Sequence, residues 1–254
     1  KRTIKDLRKS AEYFTEAIAF DPNYAFAYAG LAESFVLLAS YGGQDRKDAI
    51  LKAKEAAFRA ISIDDSLAEA QTVLSSILAE FEHDFVSAES GFKRSIELDP
   101  NTASSRHYYG QLLSQLGRHE EALAEITRAL EIDPLSLVLN WIYGSSLFLA
   151  RRYDDAVEQL TKVAESDPDF ALAHYSLASV YMVQGEYNKC VAELVRYLEI
   201  RGDLDVANPI RESYSEQGWH GFLLATVEKG ASFDSPWHNP SIFLAALGEK
   251  DNAF

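Results

Sequence analysis

Three prolines set the frame for this chain. Pro100, Pro134 and Pro168 recur every 34 residues, each directly after an aspartate. A period of roughly 20 to 50 residues marks a chain built from one supersecondary unit stacked on itself, because a single unit cannot bury its own apolar face. The phase continues towards the N-terminus. Pro22 follows Asp21, and Ile63-Asp64-Asp65 repeats the phrase Leu98-Asp99-Pro100 with Asp65 in the place of proline. A residue before proline is pushed out of the helical region, so these five equivalent turns each end a helix.

The segment before each turn has a fixed pattern. Counting twelve, eight and five residues back gives Ala122, Ile126 and Ala129; Ala156, Leu160 and Val163; Ala88, Phe92 and Ser95; Ala53, Ala57 and Ala60; and Ser10, Phe14 and Ala17. Those spacings lie on one stripe of a 3.6-residue helix, with a small residue where a neighbour must come close. The segment after each turn is also patterned. Its ninth, tenth and thirteenth residues are Leu31, Ala32 and Phe35; Leu74, Ser75 and Leu78; Tyr109, Gly110 and Leu113; Tyr143, Gly144 and Leu147; and Leu177, Ala178 and Tyr181. Glycine in mid-helix costs about 1 kcal/mol of propensity, so its recurrence between two large residues predicts a close helix crossing. We refer to the segment after a turn as helix A and the one before the next turn as helix B. Gly117 and Gly185 sit where a left-handed C-cap would end helix A, and Glu120 or Asp154 places a carboxylate at the positive end of helix B.

With these slots in place the chain resembles the tetratricopeptide repeats, whose spaced large, small and aromatic residues in helix A and Ala, aromatic and Pro in helix B are met over about residues 3 to 202. The resemblance implies an all-α fold, a right-handed superhelix of antiparallel helix pairs. One family slot differs, since the tryptophan position of helix A holds Tyr28, Gln71, Arg106, Asn140 and His174. Residues 1–202 are expected to form the array, namely helix B of a truncated unit and then five full units. The first full unit is longer by nine residues, which predicts a long inter-helix loop near 41–47. Residues 203–254 are expected to add C-terminal helices, with Leu204 to Ser215 and Trp219 to Lys229 helical, and a degenerate, truncated unit around Asn239-Pro240 and Leu247 to Phe254. Both ends read as cuts in something longer.

More specifically, the phrase from Ala25 to Ser34, the long unit and the phrase from Ala245 to Asp251 resemble the C-terminal repeat arrays of bacterial multidomain signalling and transcriptional regulators. In those proteins such arrays follow a winged-helix, cyclase or Ser/Thr-kinase domain. The resemblance implies a sensor or assembly module attached to an output domain.

A tetratricopeptide array presents the outward side chains of helix A on its concave face, at the fourth, seventh, eighth, eleventh, fourteenth and fifteenth residues after each turn. In the later units these positions hold His107, Tyr108 and Gln111; Val138, Trp141, Ile142, Ser145 and Phe148; and Leu172, Tyr175, Ser176 and Ser179. They lack the Lys, Arg and Asn with which carboxylate-clamp members of the family hold a C-terminus. The expected ligand is therefore an apolar or aromatic-favouring peptide or partner helix, with Trp141, Tyr108 and Tyr175 as anchors. The alternative for the same stripe is filling by the chain's own helices after Leu204. The alternative for the whole protein is a self-association module, a homo-oligomer with no peptide ligand.

Charge and chemistry narrow the remaining classes. A formal net charge of -15 opposes direct nucleic-acid binding, which needs a basic stripe to displace phosphate counterions. The six histidines form no metal-ligand spacing, no glycine-rich phosphate loop occurs, and Cys190 falls in the small slot of a helix B, the place of a core thiol. Neither enzyme activity nor a metal or cofactor is expected. The most apolar run, Val138 to Ala150, is broken by Asn140, Gly144, Ser145 and Ser146, which argues against membrane insertion. A single cysteine and the lack of a glycosylation acceptor point to the cytoplasm.

Overall fold

The computed structural model describes residues 3–40, 42 and 44–228. Among these the chain forms twelve helices: α1 (Ile4–Phe20), α2 (Ala25–Ser40), α3 (Arg46–Ile63), α4 (Ala68–Glu80), α5 (Phe85–Leu98), α6 (Ala103–Gln115), α7 (His119–Ile132), α8 (Leu137–Leu149), α9 (Tyr153–Ser166), α10 (Ala171–Gln184), α11 (Tyr187–Arg201) and α12 (Leu204–Glu228). No strand occurs among the described residues. The fold is all-α, and α1 is a helix B standing before the first full A–B pair.

The acidic residue has a mechanical task at four of the five turns. Carboxylate oxygens of Asp21, Asp64, Asp99 and Asp167 accept the backbone N–H two residues on, from Asn23, Ser66, Asn101 and Asp169, at 2.9–3.1 Å. The side chain thus closes the turn that the helix cannot continue. At the A-to-B turns Gly117 and Gly185 take φ of 75° and Arg151 takes 60° in the same left-handed role, while Gly202, at 85°, ends α11. The N-caps of α7 and α9 are Arg118 and Arg152, with no side-chain capping bond. Each arginine instead pairs with the acid three residues on, Arg118 with Glu121 and Arg152 with Asp155, both at 2.7 Å.

The nine extra residues of the first full unit are placed differently from the expectation. α2 has 16 residues and α3 has 18, whereas α6 has 13 and α7 has 14. Most of the insertion therefore lengthens the two helices, and α3 already begins at Arg46, capped by the Asp45 side chain on Asp48 N–H at 2.9 Å. The reason is apolar content: Val36, Leu38, Ala39 and Ala49 are all buried, so the added turns have a core to join.

Packing divides the chain into two compact units, Lys1–Ile142 and Tyr143–Phe254. In the first, successive helices from α1 to α7 pack in order, and the A helices α2, α4 and α6 also lie side by side. The predicted close crossings are there. A Cβ on Gly110 would fall 2.5 Å from Ile126 Cγ1 and 3.1 Å from the Ala122 carbonyl. Phe92, 1% exposed, fills the aromatic slot of α5 beside Tyr109, and burying a side chain of that size contributes about 2 kcal/mol or more. Thr72, Ser95 and Ser105 form a buried hydroxyl cluster joining α4, α5 and α6, with Ser95 also donating to the Ala68 carbonyl at 2.8 Å.

The second unit repeats the rule. A Cβ on Gly144 would stand 2.8 Å from Leu160. α9, α10, α11 and α12 pack in order, and Cys190, Leu194, Tyr197 and Leu198 of α11 share one hydrophobic cluster with Ala207, Ile210, Phe222 and Leu223 of α12. α12 runs over Leu204–Glu228, taking in the expected segments as far as residue 228, and bends at Gly218, whose φ of 62° and ψ of -149° suit glycine alone. Trp219 then stacks on Tyr187 at 4.1 Å. The unit expected around 239–254 lies outside the described residues.

Candidate functional site

The slot that holds tryptophan in the family serves here as a polar tether. Arg106 donates Nε and Nη2 to the Pro100 carbonyl at 3.1 and 2.8 Å, Asn140 donates Nδ2 to the Pro134 carbonyl at 3.1 Å, and His174 Nε2 lies 3.1 Å from the Pro168 carbonyl. α6, α8 and α10 are thereby each tied to the turn six residues behind. Arg106 also pairs with Glu125 at 2.8 Å and His174 with Glu193 at 2.6 Å, both nineteen residues downstream on helix B. These side chains are committed to the scaffold, which leaves the outward positions of helix A as the surface that varies.

In the first unit those positions hold charge at one end. Glu33 on α2 and Glu69 and Glu80 on α4 occupy them, followed by His107, Tyr108 and Gln111 on α6 and Trp141 and Ile142 on α8. Buried side chains interrupt the line, with Ala29 3% exposed and Thr72 and Ser76 each 2%. Ile142 is 4% exposed and offers nothing to a ligand, which corrects its place among the expected contacts. The physical reason is its register. Gly30 is likewise eight residues after its turn, and a Cβ there would meet the ring of Phe14 on the preceding helix B at 2.3 Å. The eighth position therefore faces a neighbouring helix. Tyr108 shares it, and its half-buried ring packs against the cluster of Phe92, Tyr109 and Leu112, 4.0 Å from the ring of His107. His107, Gln111 and Trp141 remain half-buried, with part of each side chain reachable.

In the second unit Ser145, Phe148, Tyr175 and Ser179 are all half-buried. Ser145 and Ser176 approach with hydroxyls 3.5 Å apart, and Phe148 lies beside Tyr153 at 5.9 Å. Tyr175 is engaged by the chain itself. Its ring packs 5.3 Å from Tyr197 and against the α11–α12 cluster, Ser179 donates to its carbonyl at 3.1 Å, and burial pushes its phenol up to about 12.

Glu80, Glu89 and Cys190 are among the other perturbed titratable groups. Burial raises Glu80 to about 7, partly offset by the charge of Arg46. Glu89 is held at about 2, first by Lys93, then by Arg118 and the Tyr109 hydroxyl, which bond it at 2.8, 2.9 and 2.8 Å. Burial pushes the Cys190 thiol up to about 12, away from any nucleophilic form at neutral pH. Among the described residues no group of three His, Cys, Asp or Glu is placed to hold a metal ion, and no helix is long and apolar enough to cross a membrane.

Glu89, Arg118 and the Thr72–Ser95–Ser105 cluster were not singled out from sequence. A signal existed for one of them, because Ser95 is the only hydroxyl in a helix-B slot filled elsewhere by Ala17, Ala60, Ala129 and Val163.

Residues 92–124 and 147–208 each match the tetratricopeptide-repeat family. Over 124 residues the chain is 30% identical to the transcriptional regulator HilA of Salmonella typhimurium (strain LT2) and to that of Salmonella typhi. The matched stretch is 49% of this chain and 22% of HilA, so it spans about a fifth of the length of the curated relatives. Among solved structures the chain is similar to YrrB, described as a TPR protein with an unusual peptide-binding site, at 23% identity and a TM-score of 0.50, covering 80% of this chain and 99% of that one. It is similar to yeast Tom70 at 15% identity and a TM-score of 0.56, covering 98% and 57%. It is also similar to a chain of the APC/C Cut9–Hcn1 hetero-tetramer, at 16% identity and a TM-score of 0.63, covering 78% and 37%. At these identities the structures establish a shared fold.

Proposed function

Because this chain is a tetratricopeptide-repeat array, we propose that it is a scaffold that binds a peptide or partner helix along the outward positions of its A helices. The observation that carries this reading is the division of labour within helix A. The tether, the small slot and the eighth position are spent on packing, while Trp141 is half-buried and keeps part of its surface exposed at the seventh position. Aromatic side chains at such positions supply large contact area at small entropic cost, about 2 kcal/mol or more each. His107 and Gln111, in the same compact unit, would contribute the surrounding contacts. Similarity to HilA supports a module within a larger bacterial regulatory protein, acting in the cytoplasm. Neither catalysis nor a cofactor enters this reading.

The test is Trp141→Ala, with binding read on peptides selected from a phage-displayed library against the wild-type chain. Loss of about tenfold or more in affinity with unchanged helicity and melting supports the scaffold reading. Affinity that survives the substitution contradicts it.

A second reading, self-association, is favoured by Phe20, Leu135 and Val86, which are 94%, 89% and 83% exposed at positions outside the helix-A line. Light scattering across a wide concentration range separates the two, since a stable dimer without peptide affinity supports self-association and a monomer removes it.

A further inference from the structure

One slot of helix B decides whether the space between the two helices of a unit is filled or open. It is the residue just before Ala57, Phe92, Ile126, Leu160 and Leu194, and it is Glu125 on α7, Gln159 on α9 and Glu193 on α11, but Ala56 on α3 and Gly91 on α5. The slot faces the tether of its own helix A, as the pairs of Glu125 with Arg106 and of Glu193 with His174 show. In the α6–α7 pair this carboxylate is largely enclosed: Arg106 and Glu125 are 12% and 14% exposed, and Glu125 also binds Arg128 at 2.6 Å. On α5 the Ser75 hydroxyl stands 2.1 Å from where a Cβ on Gly91 would lie, so the slot itself is taken. At Ala56 nothing fills it, and a groove of about 400 Å³ opens between Tyr28, Leu31 and Phe35 of α2 and Lys52, Ala56 and Arg59 of α3. Leu31 and Phe35 are accordingly half-buried, whereas their equivalents on α6, Tyr109 and Leu113, are buried.

Two cations overhang this apolar floor. The Arg59 guanidinium lies 5.9 Å from the centre of the Tyr28 ring, and Lys52 Nζ lies 5.9 Å from that of Phe35, both within cation–π range. Lys52 is shared with the exposed Asp48 at 2.7 Å. Arg59 stands where Arg128 stands on α7, three residues after the slot. Arg128 meets Glu125 there, whereas Arg59 has Ala56 in that place and reaches the Ser62 hydroxyl at 3.5 Å. Glu55 also lines the rim. Even so, α3 carries Arg46, Lys47, Lys52, Lys54 and Arg59 against Asp48 and Glu55, in a chain whose net charge is -15. The local charge is thus opposite in sign to that of the chain, and it complements an acidic partner.

We propose that the α2–α3 groove docks a peptide segment of a partner protein in which a glutamate or aspartate lies beside an apolar side chain. The carboxylate takes the place against Arg59 that Glu125 takes against Arg128, and the apolar group rests on Tyr28, Leu31 and Phe35. The α6–α7 pair of the same compact unit is the template for this occupant. The groove uses the sixth, ninth and thirteenth residues of helix A together with one face of helix B. It is therefore separate from the outward positions assigned above and does not depend on them.

The experiment uses two fluorescein-labelled peptides of about 12 residues rich in leucine and phenylalanine, one carrying glutamates and its twin glutamines at the same places. Fluorescence anisotropy on the full chain reads both. The glutamate peptide is expected to bind about fivefold or more tightly, with an advantage that shrinks as salt rises. Arg59→Gln, a change at an exposed side chain, should bring the twins to equal affinity. Ala56→Glu, which builds the α7 arrangement into α3, should abolish binding of both peptides while helicity and melting hold. Should that variant fail to fold, Arg59→Gln decides alone. Equal binding of the twins, binding of neither, or an advantage that survives Arg59→Gln overturns the inference. Binding that is lost in Trp141→Ala and kept in Ala56→Glu places the peptide on the outward positions, which overturns this inference and leaves the scaffold reading standing. Dimers in light scattering that Ala56→Glu disperses would put a second copy of the chain in the groove and overturn the assignment to a partner protein.

Discussion

The outward faces of α4 and α10 occupy equivalent positions in the repeat and have opposite fates. On α4 of the first unit, Glu69 is exposed and Glu80 half-buried, beside the buried hydroxyls of Thr72 and Ser76. On α10 of the second unit the equivalent line is uncharged, and Tyr175 is occupied by Tyr197 and the α11–α12 cluster. The difference teaches that the repeat fixes the packing slots and leaves the outward slots to local neighbours. At Tyr175 the cluster formed by α11 and α12 supplies that neighbour, and the slot joins the core.

The largest expected effects test that contrast directly. Tyr175→Ala should cost about 3 kcal/mol of folding stability by urea titration, because it empties a packed site, whereas Trp141→Ala should cost less than half of that and act on binding. Equal destabilisation by the two would erase the distinction between filled and available positions. Next comes the scaffold common to both units. Gly110→Ala in the first and Gly144→Ala in the second should each cost about 2 kcal/mol, since the new Cβ would stand 2.5 Å from Ile126 and 2.8 Å from Leu160. Gly117→Ala, where a Cβ meets nothing and only the φ of 75° resists, should cost about 1 kcal/mol.

The same comparison has a pH signature. Glu80 has its folded-state pKa raised to about 7 from 4.5, so the neutral form is favoured by folding and its stabilising contribution is present below pH 4.5 and lost as pH rises through 7. Glu80→Gln should therefore be more stable than wild type at pH 8, by about 2 kcal/mol, and the gap should close towards pH 4.5. Glu89 runs the other way. Its folded pKa is lowered to about 2, so its contribution is present above pH 4.5 and lost as pH falls towards 2, and Glu89→Gln should flatten the acid limb of the stability curve. The smallest effect belongs to an exposed pair such as Lys162 with Glu158, where Lys162→Ala should stay within about 0.5 kcal/mol in a thermal melt.

Much of this fold is legible in the sequence because the period is imposed by packing. Asp before Pro, glycine at the A-to-B turns and the large–small–large triplet each answer a local steric demand, and every one reappears at the expected place. Two matters were not legible. The extra residues of the first full unit fall mostly within α2 and α3, because Val36, Leu38 and Ala49 find core contacts that composition alone does not reveal. The register of Ile142 and Tyr108 was also misleading: adjacent outward positions sit about 100° apart on a helix, and only the neighbouring helix B decides which of the two is covered. Spacing pointed to Trp141, whereas which outward positions are covered is a property of the folded chain.

The central claim is that a partner segment reaches Trp141 while the packed aromatics stay out of contact, and ¹⁹F NMR of 5-fluorotryptophan-labelled protein tests it most directly. Assigning resonances by Trp141→Phe and Trp219→Phe, we expect addition of a library-selected peptide to shift the Trp141 signal and leave that of Trp219, stacked on Tyr187, in place. A shift confined to Trp219, or bound peptide with Trp141 unmoved, would contradict the account.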